Sequence, residues 1–185
     1  MNLLLTSCGL ETGAIEKLFL EMLPKAPEEV RALFIPTAAI DPDAIEVLPK
    51  CLRDLLKCGI RRENIRVYDL HEPLGGALTG RWDVVYLCGG CTEYLLRRIN
   101  EGEFRGQLLE FLSAGGVVLG VSAGSVIFSA SLPENLGVLR CPLDVHSGEE
   151  VREKPGRYPL DRRERIRLGN RQAIRFEKDA LIVAE

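Results

Sequence analysis

The strongest constraint on this chain is an alternation of short apolar runs with longer amphipathic ones. Leu3 to Thr6, Val30 to Pro36, Ile65 to Leu70, Trp82 to Leu87 and Val117 to Val121 are short and rich in Val, Ile and Leu. Such runs read as strands buried on both faces. Thr12 to Leu23 carries Ile15, Leu18, Phe19 and Met22 at helical spacing, and Asp43 to Lys57 reads as a second helix stopped by Gly59. Thr92 to Arg98 and Phe104 to Ser113 read as further helical pieces. Strand and helix in alternation predict a three-layer α/β sandwich with a mostly parallel central sheet. Right-handed crossovers then gather the loops after the strands along one edge of that sheet. Cys8-Gly9, Thr37-Ala38, His71, Gly89-Gly90 and Ser122 all fall on that edge.

Beyond Phe128 the pattern changes. Leu139 to Val145, Arg163 to Leu168 and Gln172 to Phe176 read as strands without long helices between them, and Leu181 to Ala184 as a last strand. Gly169-Asn170 separates two alternating runs, which predicts a two-residue hairpin. Ser147 to Leu160, charged and holding Pro155 and Pro159, reads as a loop.

With 185 residues, 46% hydrophobic and 28% charged, the chain suits one domain spanning 1–185. At this size roughly 70% of the unfolded surface is buried, enough for a core without staples. A formal charge of -3 and the absence of long basic runs argue against nucleic acid as a partner. Arg162-Arg163-Glu164-Arg165 reads as a solvated face. No run is long enough for a bilayer span, and Met1-Asn2 leads straight into a strand with no basic segment before it. The six cysteines are expected to be free, mostly buried thiols of a cytoplasmic protein.

Gly120-Val121-Ser122-Ala123-Gly124 fits G-x-S-x-G between a predicted strand and a predicted helix. A sharp turn there lifts the Ser122 side chain above the sheet, and small neighbours let the backbone pass close by. The Ala123 amide follows the serine and can donate to a developing oxyanion. A helix N-cap serine is the plainer reading of the same junction. A nucleophilic serine needs a base, and the chain has two histidines, His71 and His146. Either follows a predicted strand, and His146 is the stronger candidate. Gly89-Gly90 allow close approach of a ligand and could supply a second oxyanion donor, with Cys91 and Thr92 beside them. Cys88-x-x-Cys91 as a zinc or redox pair is disfavoured, because no second such pair completes a metal site.

Gly89-Gly90-x-Thr92, then G-x-Ser122-Ala123-Gly124-Ser125, then Asp144-Val145-His146, resemble the peptidase E (aspartyl dipeptidase) family. These are serine peptidases on a class I glutamine amidotransferase-like, flavodoxin-like fold. The order of elements agrees from Leu3 to the C-terminal strands, which would end in a β-hairpin. The resemblance implies Ser122 as nucleophile, His146 as general base, and the Gly90 and Ala123 amides as the oxyanion hole. Gly89, Cys91 and Thr92 would line the substrate site. It implies a small peptide substrate, with N-terminal aspartate preferred, and no metal or cofactor; a homodimer is the candidate assembly. Three departures stand out. Cys91 stands where the family usually has Asn. Asn170 stands where a third, carboxylate member is usual, and Asp144, Glu149 or Glu150 could supply that carboxylate instead. The segment after His146 is short, and Arg152, Arg157, Arg162 or Arg163 would have to meet an aspartate side chain. An esterase or amidase on the same elbow, or an inactive ligand-binding member of the fold, are the alternatives.

Overall fold

The computed structural model describes residues 1–185. Five parallel strands form the heart of the sheet: β1 (Asn2–Thr6), β2 (Ala32–Ile35), β3 (Ile65–Val67), β4 (Val84–Leu87) and β5 (Val117–Val121). Five helices accompany them: α1 (Gly13–Met22), α2 (Pro42–Lys57), α3 (Thr92–Glu101), α4 (Phe104–Ser113) and the single turn α5 (Ala123–Val126). The later strands are β6 (Leu143–Asp144), β7 (Gly156–Pro159), β8 (Ile166–Arg167), β9 (Ala173–Phe176) and β10 (Ala180–Ala184). Eight strands join in the order β3-β2-β4-β5-β1-β9-β10-β7, and the last three run antiparallel to their neighbours.

Alternation along the strands builds two cores. Leu3, Leu5, Leu33, Ile35, Val85, Leu87 and Val118 face one way, against α3, α4 and α5. Leu4, Ala32, Phe34, Val84, Tyr86, Val117 and Leu119 face the other, against α1 and α2. The three leucines of β1 are all fully buried, and each stabilises the fold by about 1.5–3 kcal/mol relative to exposure. Caps set where the helices start. Thr12 Oγ1 accepts the Ile15 N–H at 3.2 Å, and Asp41 Oδ1 accepts that of Ala44 at 2.9 Å. No helix is long and apolar enough to cross a membrane.

The three-layer sandwich matches the sequence expectation, and so does a C-terminal hairpin, but its place differs. No hairpin closes over Gly169-Asn170. The strand before that turn, β8, pairs in parallel with β6 in a separate two-stranded sheet, while β9 pairs with β1 and β10. The hairpin is β9–β10. The expected loop 147–160 contains β7, which closes the sheet against β10. The expected strand 139–145 is reduced to Leu143–Asp144 plus one isolated bridge between Ser129 and Leu139. β3 ends at Val67 rather than Leu70, because as an edge strand it has only β2 to hold it.

Candidate active site

β5 delivers Ser122 to the carboxyl edge of the sheet. Its backbone leaves the strand at φ 49°, ψ -112°, a conformation that L residues rarely adopt. Strain of this kind costs on the order of 1–3 kcal/mol and persists only where the surroundings hold it. Here the Ser122 N–H donates to Thr6 O at 3.0 Å, and Ser122 O accepts the N–H groups of Ser125 and Val126 at 2.8 and 3.0 Å. The glycines around it are steric requirements. A Cβ at Gly120 would overlap the Gly124 carbonyl, and one at Gly124 would overlap that of Leu87. Ser125 is fully buried below the turn, and its hydroxyl donates to Thr6 O and Gly120 O, each at 2.8 Å. The side chain of Ser122 caps nothing, so the N-cap reading of this serine does not describe it.

His146 follows β6 and comes to the same place. Its Nε2 lies 2.9 Å from Ser122 Oγ. Its Nδ1 lies 3.0 Å from Asn170 Oδ1. Asn170 Oδ1 is an acceptor only, so it favours the tautomer with the proton on Nδ1 and a lone pair on Nε2 facing the serine. That is the arrangement in which a serine hydroxyl can lose its proton to an imidazole. His146 itself sits at φ 57°, in the left-handed region. Its N–H donates to Ser7 Oγ at 2.8 Å, which pins that backbone.

None of the three carboxylates considered from sequence reaches the imidazole. Asp144 is engaged by Arg165 and Arg167, Glu149 by Arg152, and Glu150 makes no contact with His146. Of the residues considered for that position, Asn170 is the one within hydrogen-bond reach of the imidazole. It is presented by the turn Gly169–Gln172, in which the fully buried Gln172 accepts the Gly169 N–H through Oε1 at 3.0 Å and donates to Glu153 O at 2.8 Å. The other histidine stands apart. His71 Nε2 meets Tyr94 Oη at 3.1 Å, and its Nδ1 lies 3.4 Å from Asp69 Oδ2.

The glycine loop runs from β4 into α3 beside the elbow. Gly89 packs so close that a Cβ there would stand 3.1 Å from Ser122 Cβ. Gly90 has φ 134°, and a Cβ there would overlap the Ala38 carbonyl. The Gly90 N–H is not spent on any hydrogen bond within the protein, whereas that of Cys91 donates to Ala38 O at 2.8 Å. Cys91 occupies the N-cap position of α3 and Thr92 its first residue. Cys88 and Cys91 are both free: Cys88 is buried in the core facing α2, while the half-exposed Cys91 lies 3.8 Å from Glu93 Oε2. No group of three His, Cys, Asp or Glu side chains converges on a common point.

Sequence reading missed the contribution of β1's end. Ser7 Oγ and Cys8 Sγ lie 3.4 and 3.5 Å from His146 Nδ1. Burial pushes the Cys8 thiol up, so it stands beside the imidazole uncharged. The only local sign of this role is a run of small polar residues after a strand. A cavity of about 550 Å³ lies elsewhere on the edge, under loop 68–76, walled by Tyr68, His71, Arg98 and Phe104. Ser122, His146 and Asn170 take no part in its wall; Ser122 is half-buried and the other two are exposed.

Comparison with known proteins bears on the family and the fold. The model of peptidase family S51 matches residues 3–136, from β1 past the serine elbow. His146 and Asn170 lie beyond the matched residues. The crystal structure of a candidate peptidase E from Listeria monocytogenes EGD-e superposes with a TM-score of 0.77 at 22% identity, covering 100% of this chain and 98% of the other. A peptidase from an acI-B1 Actinobacterium gives a TM-score of 0.68 at 16% identity, covering 98% and 86%. At these identities the likeness carries the fold. None of the curated proteins matches the chain in sequence.

Proposed function

The chain belongs to peptidase family S51, and on that premise we propose that it is a peptidase E-type serine hydrolase that cleaves short peptides through an acyl-enzyme on Ser122. The observation that carries this reading is the continuous chain from Ser122 Oγ to His146 Nε2 at 2.9 Å and from His146 Nδ1 to Asn170 Oδ1 at 3.0 Å. Ser122 Oγ attacks the scissile carbonyl while His146 Nε2 takes its proton. The amides of Ala123 and Gly90 hold the oxyanion. His146 then gives that proton to the leaving amine, and the carbonyl collapses to an ester on Ser122. Water, deprotonated by the same imidazole, attacks the ester and releases the acid. Asn170 keeps the imidazole turned toward the serine without supplying a counter-charge.

Asp-X dipeptides are the first substrates to try. Arg152, Arg157 and Arg162 are each tied to carboxylates, which leaves Arg163 as the arginine of that group free to meet an aspartate side chain. A panel of dipeptides and short esters tests the substrate class, with the variants Ser122→Ala and His146→Ala run beside the parent. Both variants should lose turnover of the responsive substrate while keeping the parent's melting temperature. Full activity in either one would remove the assignment. Esters turned over with no peptide cleaved would move the reading to an esterase.

A further inference from the structure

The end of β1 touches three parts of the proposed machinery. Thr6 O accepts the Ser122 N–H at 3.0 Å, the Ser7 N–H donates to Gln172 O at 3.2 Å, and Ser7 Oγ accepts the His146 N–H at 2.8 Å. Two consecutive residues thus join the serine elbow, the histidine and the turn that presents Asn170. Ser7 is fully buried, so its hydroxyl makes no bulk-solvent contact. Its oxygen also lies 3.4 Å from His146 Nδ1, on the side where Asn170 Oδ1 stands at 3.0 Å. A serine oxygen has two lone pairs, and with one taken by the His146 N–H the other can accept from Nδ1–H.

We propose that Ser7 is a positioning residue that acts through His146, fixing its left-handed backbone and placing a second oxygen beside Nδ1. The proposal rests on His146 being the base of the reaction above. Asn170 is exposed and uncharged, and its Nδ2 has no partner in the protein. Nothing pins the rotation of that amide. Flipped, it would point a donor at Nδ1, favour the proton on Nε2, and turn a donor toward Ser122. A carboxylate could not make this error. Ser7 is the group whose oxygen stays in place when the amide turns, because the His146 N–H and the Ser7 N–H both anchor it. A serine at position 7 therefore substitutes for part of what the missing carboxylate would do.

The chain has only two histidines, so ¹⁵N-histidine labelling reads the tautomer of His146 directly, with His146→Ala identifying its signals. Ser7→Ala and Ser7→Cys are measured in the full chain for kcat, KM and the ¹⁵N spectrum. In Ser7→Ala, kcat is expected to fall about 10- to 100-fold with KM within about threefold. The same variant should show His146 shifted toward the Nε2–H form while His71 stays unchanged. Ser7→Cys keeps the size but weakens the acceptor, so it should show both changes to a smaller degree, and it decides the matter if Ser7→Ala does not fold. Both changes together support the proposal. A fall in kcat with an unaltered His146 spectrum means a purely structural role and overturns it, as does a shifted spectrum with unaltered kcat. If Ser122→Ala or His146→Ala retains turnover, the acyl-enzyme reading fails and the Ser7 role fails with it. If those two are inactive and Ser7→Ala matches the parent, only the Ser7 role fails.

Discussion

Asn170 stands 3.0 Å from His146 Nδ1, where a carboxylate would neutralise the imidazolium formed during attack. A neutral amide orients the ring but offers only a dipole to the new charge. Two unit charges about 4 Å apart interact by about 1 kcal/mol in water and about 4 kcal/mol at an effective dielectric near 20. This site is open, so the lower half of that range applies. Asn170→Asp, which keeps an oxygen at the same point, should therefore raise kcat at neutral pH by roughly tenfold. The acid limb of its pH–rate profile should move to higher pH, since the charged ring is favoured. A variant no faster than the parent, with an unmoved limb, would show that Asn170 does not face the working imidazole. Ser122, His146 and Asn170 were legible in sequence because each is marked by local chemistry: a glycine-framed serine, one of only two histidines, a turn residue in a matching place. Ser7 and Gln172 carried no such mark. Their role depends on distant partners, His146 for Ser7 and both Ser7 and Glu153 for Gln172, and no local pattern encodes those distances.

At the scale of elements, the site is a set of strand ends whose turns admit no side chain. The β4–α3 turn is the sharpest case. Gly90 holds φ 134°, and a Cβ on it would meet the Ala38 carbonyl across the neighbouring loop. Gly90→Ala must shift that backbone, at a cost of about 1–3 kcal/mol, and with it the amide proposed to bind the oxyanion. The variant should lower kcat at least tenfold, since removing one such donor typically costs 10²–10³. Thermal unfolding should show it folded and moderately less stable. Unchanged kcat with lowered stability would place the oxyanion donor elsewhere. The glycine loop and the elbow were readable from their residue types, because close approach of backbones leaves glycine as the signal. The C-terminal strands were not. Gly169-Asn170 has the composition of a hairpin turn, yet β8 takes a partner in β6 and β9 takes one in β1. Strand pairing is decided by which edge lies free in the folded sheet, and β1 offers its unpaired side to whichever segment returns to it.

Across the whole molecule, the core facing α1 and α2 meets the loop after β1 through one buried carboxylate. Asp54 lies on the buried stripe of α2, one turn from both Cys51 and Cys58, and is only 8% exposed. Its Oδ2 accepts the Tyr86 hydroxyl at 2.9 Å and the Leu10 N–H at 3.2 Å. A Cβ at Gly9 would overlap that same oxygen. Asp54 thus ties the helix layer to the centre of the sheet and to the loop that begins with Ser7. The layers were legible because periodicity is local; this tie was not, because its two partners, Tyr86 and Leu10, lie 32 and 44 residues away in the chain. Burial pushes the Asp54 carboxyl above its ordinary value of 3.8, with the two hydrogen bonds opposing the shift. Between the unfolded and folded values the native state holds more protons than the unfolded chain, so this group adds stability as pH falls through that window. Above the window the ionised carboxylate is a net cost of burial. Asp54→Asn keeps an acceptor for both donors and removes the charge. Its melting temperature at pH 7 should equal or exceed the parent's, and the difference should shrink toward pH 4. Asp54→Ala strands the buried Tyr86 hydroxyl and the Leu10 amide, and should cost about 1–3 kcal/mol at either pH. Scanning calorimetry at the two pH values separates the cases. If Asp54→Asn were destabilised at pH 7 as much as Asp54→Ala, the negative charge itself would be what holds the loop under Ser7, and the site's geometry would then depend on keeping Asp54 ionised.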